Sequence, residues 1–260
     1  MLITYIRPNR AYQIYQMSGY LSGLGDLETI KRLEMGRALG NQLDEVYRRG
    51  FLEWTPQDRL AIRNHLTHLR SLDHLLGARC IWKFIKMDHR LEWGYPHTVL
   101  DCIVLPEQVL QEMSREVTQR RIRTLVHEQV HVLQRQYPRW FRQLYHSWGF
   151  WELTVDIPEY IRNQLLTNPD GRSRSWAIQI PSKDAKHPKS IQWYLPLVLV
   201  NHQTVLGRVS NNDQGEIAEL IPVNESYLAQ LPNRLQPYHP NETSAHWIAD
   251  QVMKQLSHVG

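Results

Sequence analysis

Cysteine is scarce, with only Cys80 and Cys102 in 260 residues. A disulfide framework is thereby excluded, and both thiols are expected as reduced core residues. Long apolar runs are also missing: the longest, from Tyr194 to Val200, contains Pro196 and falls far short of the roughly 20 residues that a membrane span needs. The segment from Met1 to Pro8 has no basic start, long apolar stretch and small-residue cleavage site, so the expectation is a cytoplasmic protein. Internal repeats and low-complexity linkers are absent. With 42% hydrophobic and 22% charged residues, the composition excludes a disordered or collagen-like chain and leaves an ordinary soluble globular one. Phenylalanine is rare, 4 against 9 Trp and 12 Tyr. Aromatics with a polar handle suit core edges, a polar cleft or a protein interface.

The formal charge is +4 and the isoelectric point about 9.1. The 23 Arg and 7 Lys are scattered, the densest group being Arg120, Arg121 and Arg123. Zinc-finger spacing, an RNP motif and a Walker loop are all lacking, so no nucleic-acid reading motif is identified.

Periodicity organises the rest. Leu27, Ile30, Leu33, Leu39, Leu43 and Val46 recur at near-helical spacing, with Gly50 as the stop. Thr55-Pro56-Gln57-Asp58 reads as a cap, a first-turn proline and a first-turn acid, opening a helix expected to run to about Gly77. Cys80 to Ile85 and Thr98 to Leu105 read as strands. From Glu107 to Gln136 there is no Gly or Pro, which predicts one long or two abutting helices stopped by Pro138. A short helix near Ile157 to Leu166, a turn at Asn168-Pro169-Asp170-Gly171, strands at Trp176–Ile180, Ile191–Val200 and Thr204–Val209, and a helix from Asn241 to Leu256 complete the pattern. One domain with two lobes is expected, about 1–137 and 138–260.

Within the best-defined helix lies His127-Glu128-Gln129-Val130-His131, an HExxH sequence. Residues four apart share a helix face, so both imidazoles can reach one ion. Glu128, about 100° around the helix, reaches a water on that ion instead. Zinc held by two His and a carboxylate keeps a position for water, lowers its pKa to about 7, and leaves the glutamate as general base. The chance expectation for the pattern in this composition is about 0.04 occurrences.

The third ligand is open between two carboxylates. The metzincin pattern is excluded, because Gln134 and Tyr137 stand where it needs Gly and His. Glu152 lies 21 positions beyond His131 and Glu242 lies 111 beyond it. Glu242 opens a helix in Asn241-Glu242-Thr243-Ser244-Ala245, where small Ala245 permits close packing; an acid offsetting the helix dipole is the simpler account of it. Asp101 and Glu159 are weaker candidates.

HExxH followed by a helix bearing NExxA resembles the gluzincin metallopeptidases, the thermolysin and zinc-aminopeptidase clan. The separation departs from theirs, in which the second motif follows within a few tens of residues. More of the chain, roughly 80 to 250 in short pieces, is similar to a little-characterised group of zincin-like peptidases of large DNA viruses and some phages. The similar pieces are Pro96-His97-Thr98 and the strand after it, the helix ending Gln134-Arg135-Gln136-Tyr137-Pro138, Asn168-Pro169-Asp170, and His239-Pro240-Asn241-Glu242. The resemblance implies an α+β zincin-like fold of two lobes with an active-site helix and a small mixed or antiparallel sheet. It also implies Zn2+ on His127, His131 and Glu242, Glu128 as base, and a peptide or protein substrate. In zincins a strand before the active-site helix forms an edge that pairs with substrate, and Thr98 to Leu105 holds that place in chain order, where an ordinary buried strand is an equal reading. Tyr238 and His239 are candidate donors to a tetrahedral intermediate, Tyr194 and His202 weaker ones. The rivals are a zinc hydrolase of another amide and a non-enzymatic, zinc-stabilised structural or virion protein docking partners through its aromatic surface. A fourth protein ligand such as His97 or His239 would favour the structural rival.

Overall fold

Strict alternation in the segment after residue 80 sets up the architecture of the first unit. The computed structural model describes residues 2–70, 81–167, 175–181, 191–210, 215–229, 231 and 239–259. In strand β2 (Ile81–Met87), Trp82 and Phe84 face one way while Ile85 and Met87 are buried on the other. The parallel partner β4 (Cys102–Pro106) keeps this phase: Phe84 lies beside Ile103 and Ile85 beside Val104. A sheet apolar on both faces must be covered on both, and two separate cores form. Trp82, Phe84, Ile103 and Leu105 pack with helices α4 (Pro56–Thr67), α5 (Glu107–Arg115), α6 (Gln119–Gln136) and α10 (Pro240–Val259). Ile85, Met87, Cys102 and Val104 pack with α1 (Pro8–Ser18) and α3 (Leu43–Gly50).

The sheet order is β1-β2-β4-β3, with β1 (Leu2–Tyr5) parallel to β2 and β3 (His97–Val99) antiparallel to β4. The single strand expected from Thr98 to Leu105 is therefore a hairpin, broken at Leu100-Asp101, where Leu100 takes a φ of 51°. Of the two readings of this segment, the edge one holds for β3 and the buried-strand one for β4. Buried Cys102 has its thiol pushed up to about 12, by burial first and by neighbouring Asp101 second. Cys80 lies outside the described residues.

Two helices stand where the first periodic run predicts them, α2 (Asp26–Met35) and α3. Gly50 ends α3 in ordinary helical territory. Its reason is space, since a Cβ there would sit 2.3 Å from Leu91 Cδ1. The Thr55 cap forms as a reciprocal box: Asp58 N–H donates to Thr55 Oγ1 at 3.1 Å and Thr55 N–H to Asp58 Oδ2 at 2.9 Å. Helix α4 stops at Thr67, ten residues before Gly77.

The second unit comprises residues 25–28 and 137–244, and the first comprises 1–24, 29–136 and 245–260. Pro138 ends α6 and starts α7 (Pro138–Ser147). An antiparallel meander follows, β5 (Phe150–Leu153), β6 (Ser175–Pro181), β7 (Ile191–Val198), β8 (Thr204–Val209) and β9 (Ile217–Pro222), each strand beside the next. The three middle strands match the sequence expectation. Short helices α8 (Glu159–Arg162) and α9 (Glu225–Leu228) complete it. The expected turn at 168–171 lies outside the described residues. The fold is mixed α+β with two small sheets. Among the described residues no helix is long and apolar enough to cross a membrane.

Candidate metal centre

Helix α6 begins where Thr118 Oγ1 accepts the Arg121 N–H at 3.2 Å. Its inner face carries Ile122, Leu125, Val126, Val130 and Val132 into the core. Polar side chains share that face: Glu128, Gln129, His131 and Gln134 are all buried. Burying so many polar groups on one helix is costly unless they are bonded or bind a ligand. His131 Nδ1 lies 3.0 Å from Gln134 Oε1. An amide oxygen only accepts, so Nδ1 carries the proton and Nε2 presents its lone pair. That Nε2 lies 3.1 Å from His127 Nε2. Two nitrogens bound tetrahedrally at zinc distances stand about 3.3 Å apart, so the imidazoles are already spaced for one ion.

Helix α10 supplies the other wall. It starts at Pro240, with His239 Nδ1 accepting the Asn241 N–H at 3.3 Å and His239 O accepting the Thr243 N–H at 3.1 Å. His239 is thus a helix cap in this structure. Ala245 and Ala249 are fully buried, and Ala249 and Val252 join the core that holds Ile122, Leu125 and Val126. Ala249 and Val252 dock α10 against α6, and Glu242 and His246 are one turn apart on α10. One ligand atom from each of His127, Glu242 and His246 lies within 4.8 Å of the others, and the His127 and His246 rings stand 4.5 Å apart. His131 adjoins this trio through His127. The donor set, imidazole nitrogens with a carboxylate, has the chemistry of a zinc site.

Behind it, Tyr145 donates or accepts a 3.1 Å hydrogen bond with Ser244 Oγ. Burial pushes its phenol well up, and the Glu242 charge adds to this against the Ser244 bond.

The remaining candidates go elsewhere. Glu152 is on β5, 3.3 Å from Arg142 Nη2 in an ion pair. His97 has Tyr15 Oη at one ring nitrogen and the Tyr95 carbonyl at the other. Asp101 pairs with Lys83, Glu159 opens α8, and Tyr194 lies in β7 while His202 takes a φ of 65° in the turn after it. Tyr238 is outside the described residues. Sequence reading missed His246 and its neighbours Arg123 and Asp250, although His246 is legible as the residue four beyond Glu242.

A second group of ligand-type residues, Asp88, His89 and Glu107, lies on the first unit. Burial opposes ionisation of Asp88, but hydrogen bonds from Arg90 outweigh it and hold the carboxyl below its usual range. That charge is already offset. Comparison with models of known families, with curated proteins and with solved structures finds no match to this chain.

Proposed function

We propose that the chain is a zinc-dependent metallopeptidase of zincin-like fold, related to the gluzincins, with His127, His131 and Glu242 as ligands and Glu128 as general base. The observation that carries it is the pair of Nε2 atoms 3.1 Å apart on α6, with ligand atoms of His127 and Glu242 within 4.8 Å of each other. A zinc ion there would supply a Lewis acid for the scissile carbonyl and a water of lowered pKa. The chain's own groups do the rest. Gln134 holds His131 in the ligating tautomer, and α6 fixes the angle between the imidazoles. Glu128, buried beside His127, takes a proton from the attacking water and returns it to the leaving nitrogen. Another amide substrate is compatible with the same machinery.

A second reading, a non-enzymatic zinc-stabilised protein, is favoured by one observation: His246 adds a fourth ligand-type side chain to the group. Exposed Trp140, Trp151 and Tyr160 are then the surface for an assembly partner.

The deciding experiment measures zinc by elemental analysis and cleavage of a peptide mixture by mass spectrometry. Wild type holds about one zinc per chain and His131→Ala loses it. Glu128→Gln keeps zinc and fold but loses cleavage by several orders of magnitude. Equal zinc in wild type and His131→Ala rejects the site, and undiminished cleavage by Glu128→Gln rejects the mechanism.

A further inference from the structure

Helix α7 turns its apolar side inward: Phe141 and Tyr145 are buried, while Arg139, Trp140, Gln143 and Ser147 are exposed. Arg139, Arg142 and His146 follow one another at three and four positions, so they lie along one stripe of the helix. From Tyr137 to Trp151 there is no Asp or Glu. An acid reaches the stripe from β5, where Glu152 pairs with Arg142 at 3.3 Å. Arg139 lies outside that pair.

Two indoles flank the stripe. Trp151, 48% exposed, comes from β5, an edge strand of the meander. It stacks on His146 with ring centroids 4.5 Å apart and planes at 23°, and His146 in turn meets buried Trp176 at 6.0 Å and 64°. Glu152 reaches Arg142 and Trp151 reaches His146, so β5 runs along one margin. Trp140, 52% exposed, stands at the other, about 100° around the helix from Arg139. An indole packed on an imidazole and half open to solvent is held flat, and it offers a platform to another planar ring.

We propose that this face binds single-stranded nucleic acid without sequence preference, bases stacking on Trp151 and Trp140 and phosphates pairing with Arg139 and Arg142. Charge and shape choose this occupant together. A membrane surface calls for aliphatic side chains among the arginines, and the exposed side of α7 has none. An acidic peptide would satisfy the arginines but leave the flat indole unused. A single strand joins an anion to a planar ring at every repeat, and stacking on aromatics tolerates any base. The lack of a base-reading motif in the sequence accords with that tolerance. All of these residues belong to the second unit and none is a proposed metal ligand, so the inference goes beyond the metallopeptidase reading and does not depend on it.

The test uses the full chain and fluorescein-labelled oligo-dT of about twelve nucleotides, followed by fluorescence anisotropy. Wild type should bind it with a Kd of about 1–100 µM at low salt, and with a log–log salt slope of about −1.4 for two phosphate contacts. Trp151→Ala should weaken binding about tenfold, and Trp151→Phe, which keeps a ring to stack on, should recover most of the loss. Arg139→Gln should weaken binding and roughly halve the salt slope, whereas Glu152→Gln, which releases Arg142, should tighten it. An abasic oligomer of the same length should bind wild type about tenfold more weakly than oligo-dT. That comparison carries the test should Trp151→Ala not fold. Equal binding of the abasic oligomer and oligo-dT makes the face a general polyanion surface and overturns the inference. So does oligo-dT affinity unchanged in folded Trp151→Ala, and so does failure to bind oligo-dT at all. Binding of phosphatidylserine vesicles in place of oligo-dT assigns the face to a membrane, and self-association abolished by Trp140→Ala assigns it to a second copy of the chain; either result also overturns the inference.

Discussion

Two clusters of polar side chains obey opposite rules. One surrounds Glu92, whose carboxylate accepts from Arg32, Tyr20 and Tyr47. Burial works against its charge, but Arg32 first, then His97 and the Tyr47 hydroxyl, hold the carboxyl below its usual range. The Tyr47 phenol is pushed up, by burial and then by Glu92. Every charge has its opposite, and Arg32 also lies over the Trp93 ring at 4.8 Å. The cluster is strong enough to hold two non-glycine residues, Glu92 and Trp93, at φ of 51° and 54°, a region costing about 1–3 kcal/mol per residue. The other cluster, on α6 and α10, gathers imidazoles and a carboxylate, with one ligand atom of each of His127, Glu242 and His246 within 4.8 Å of the others and His131 Nε2 3.1 Å from His127 Nε2. A cluster that balances itself is architecture. A cluster of imidazoles and a carboxylate has the donor types that a cation would require.

Breaking the balanced cluster has the largest expected effect. Arg32→Met leaves Glu92 buried without its counter-charge and should cost about 3–5 kcal/mol by urea denaturation; a loss under about 1 kcal/mol would show that the tyrosines alone suffice. The same cluster sets an acid limb. Glu92 has a depressed folded pKa, so its contribution is complete above the ordinary value of 4.5 and is lost as pH falls through the lower folded value. In Glu92→Gln that part of the stability loss below pH 4.5 should be absent.

The imidazole cluster should respond to metal instead. At free zinc a hundred times its dissociation constant, wild type should gain about 2.7 kcal/mol, seen as a thermal shift reversed by chelator. His131→Ala should show no shift. A comparable shift in that variant would mean that the metal binds elsewhere.

Outside both clusters, Thr55→Ala should lose about 1 kcal/mol by removing the capping box, and chelator should not alter that difference. The smallest effect separates the two carboxylates that the sequence left open. Glu152→Ala removes a partly exposed pair with Arg142, worth about 0–1 kcal/mol, and should leave zinc affinity unchanged, while Glu242→Ala lowers it sharply. The reverse order would dismiss the NExxA assignment and leave HExxH standing.

What was legible in the sequence follows from where the information resides. Helix α6 was plain because its apolar residues repeat at helical spacing with no Gly or Pro from 107 to 136. The Thr55 box was plain because its partners are three residues apart. Strand β1 was not, since four residues acquire their role only by lying parallel to Ile81–Phe84, nearly eighty positions away. Strand β9 was missed for the same kind of reason, pairing with β8 through a register irregularity at Arg208-Val209. At the site, the Nε2 pairing was implied by i, i+4 spacing. The reach of α10 to His127 was not, because it depends on Ala249 and Val252 docking into a core assembled from distant segments.

The chain leaves the first unit after Gln136 and returns to it at Ala245, which has a consequence for the order of folding. Residues 137–244 form a closed excursion, and docking α10 means joining the ends of that loop. For a flexible loop of this length the closure entropy is about 4 kcal/mol. The cost shrinks once the excursion has collapsed onto its own meander and no longer explores a random chain's volume. Favourable kinetics therefore has the meander form early and α10 dock late. Glu242 and His246 ride on that helix, so on the proposed metal reading the site is complete only once it has docked. Metal uptake during refolding is then a clock for completion: it should lag behind the appearance of sheet structure and coincide with the burial of Ala249 and Val252.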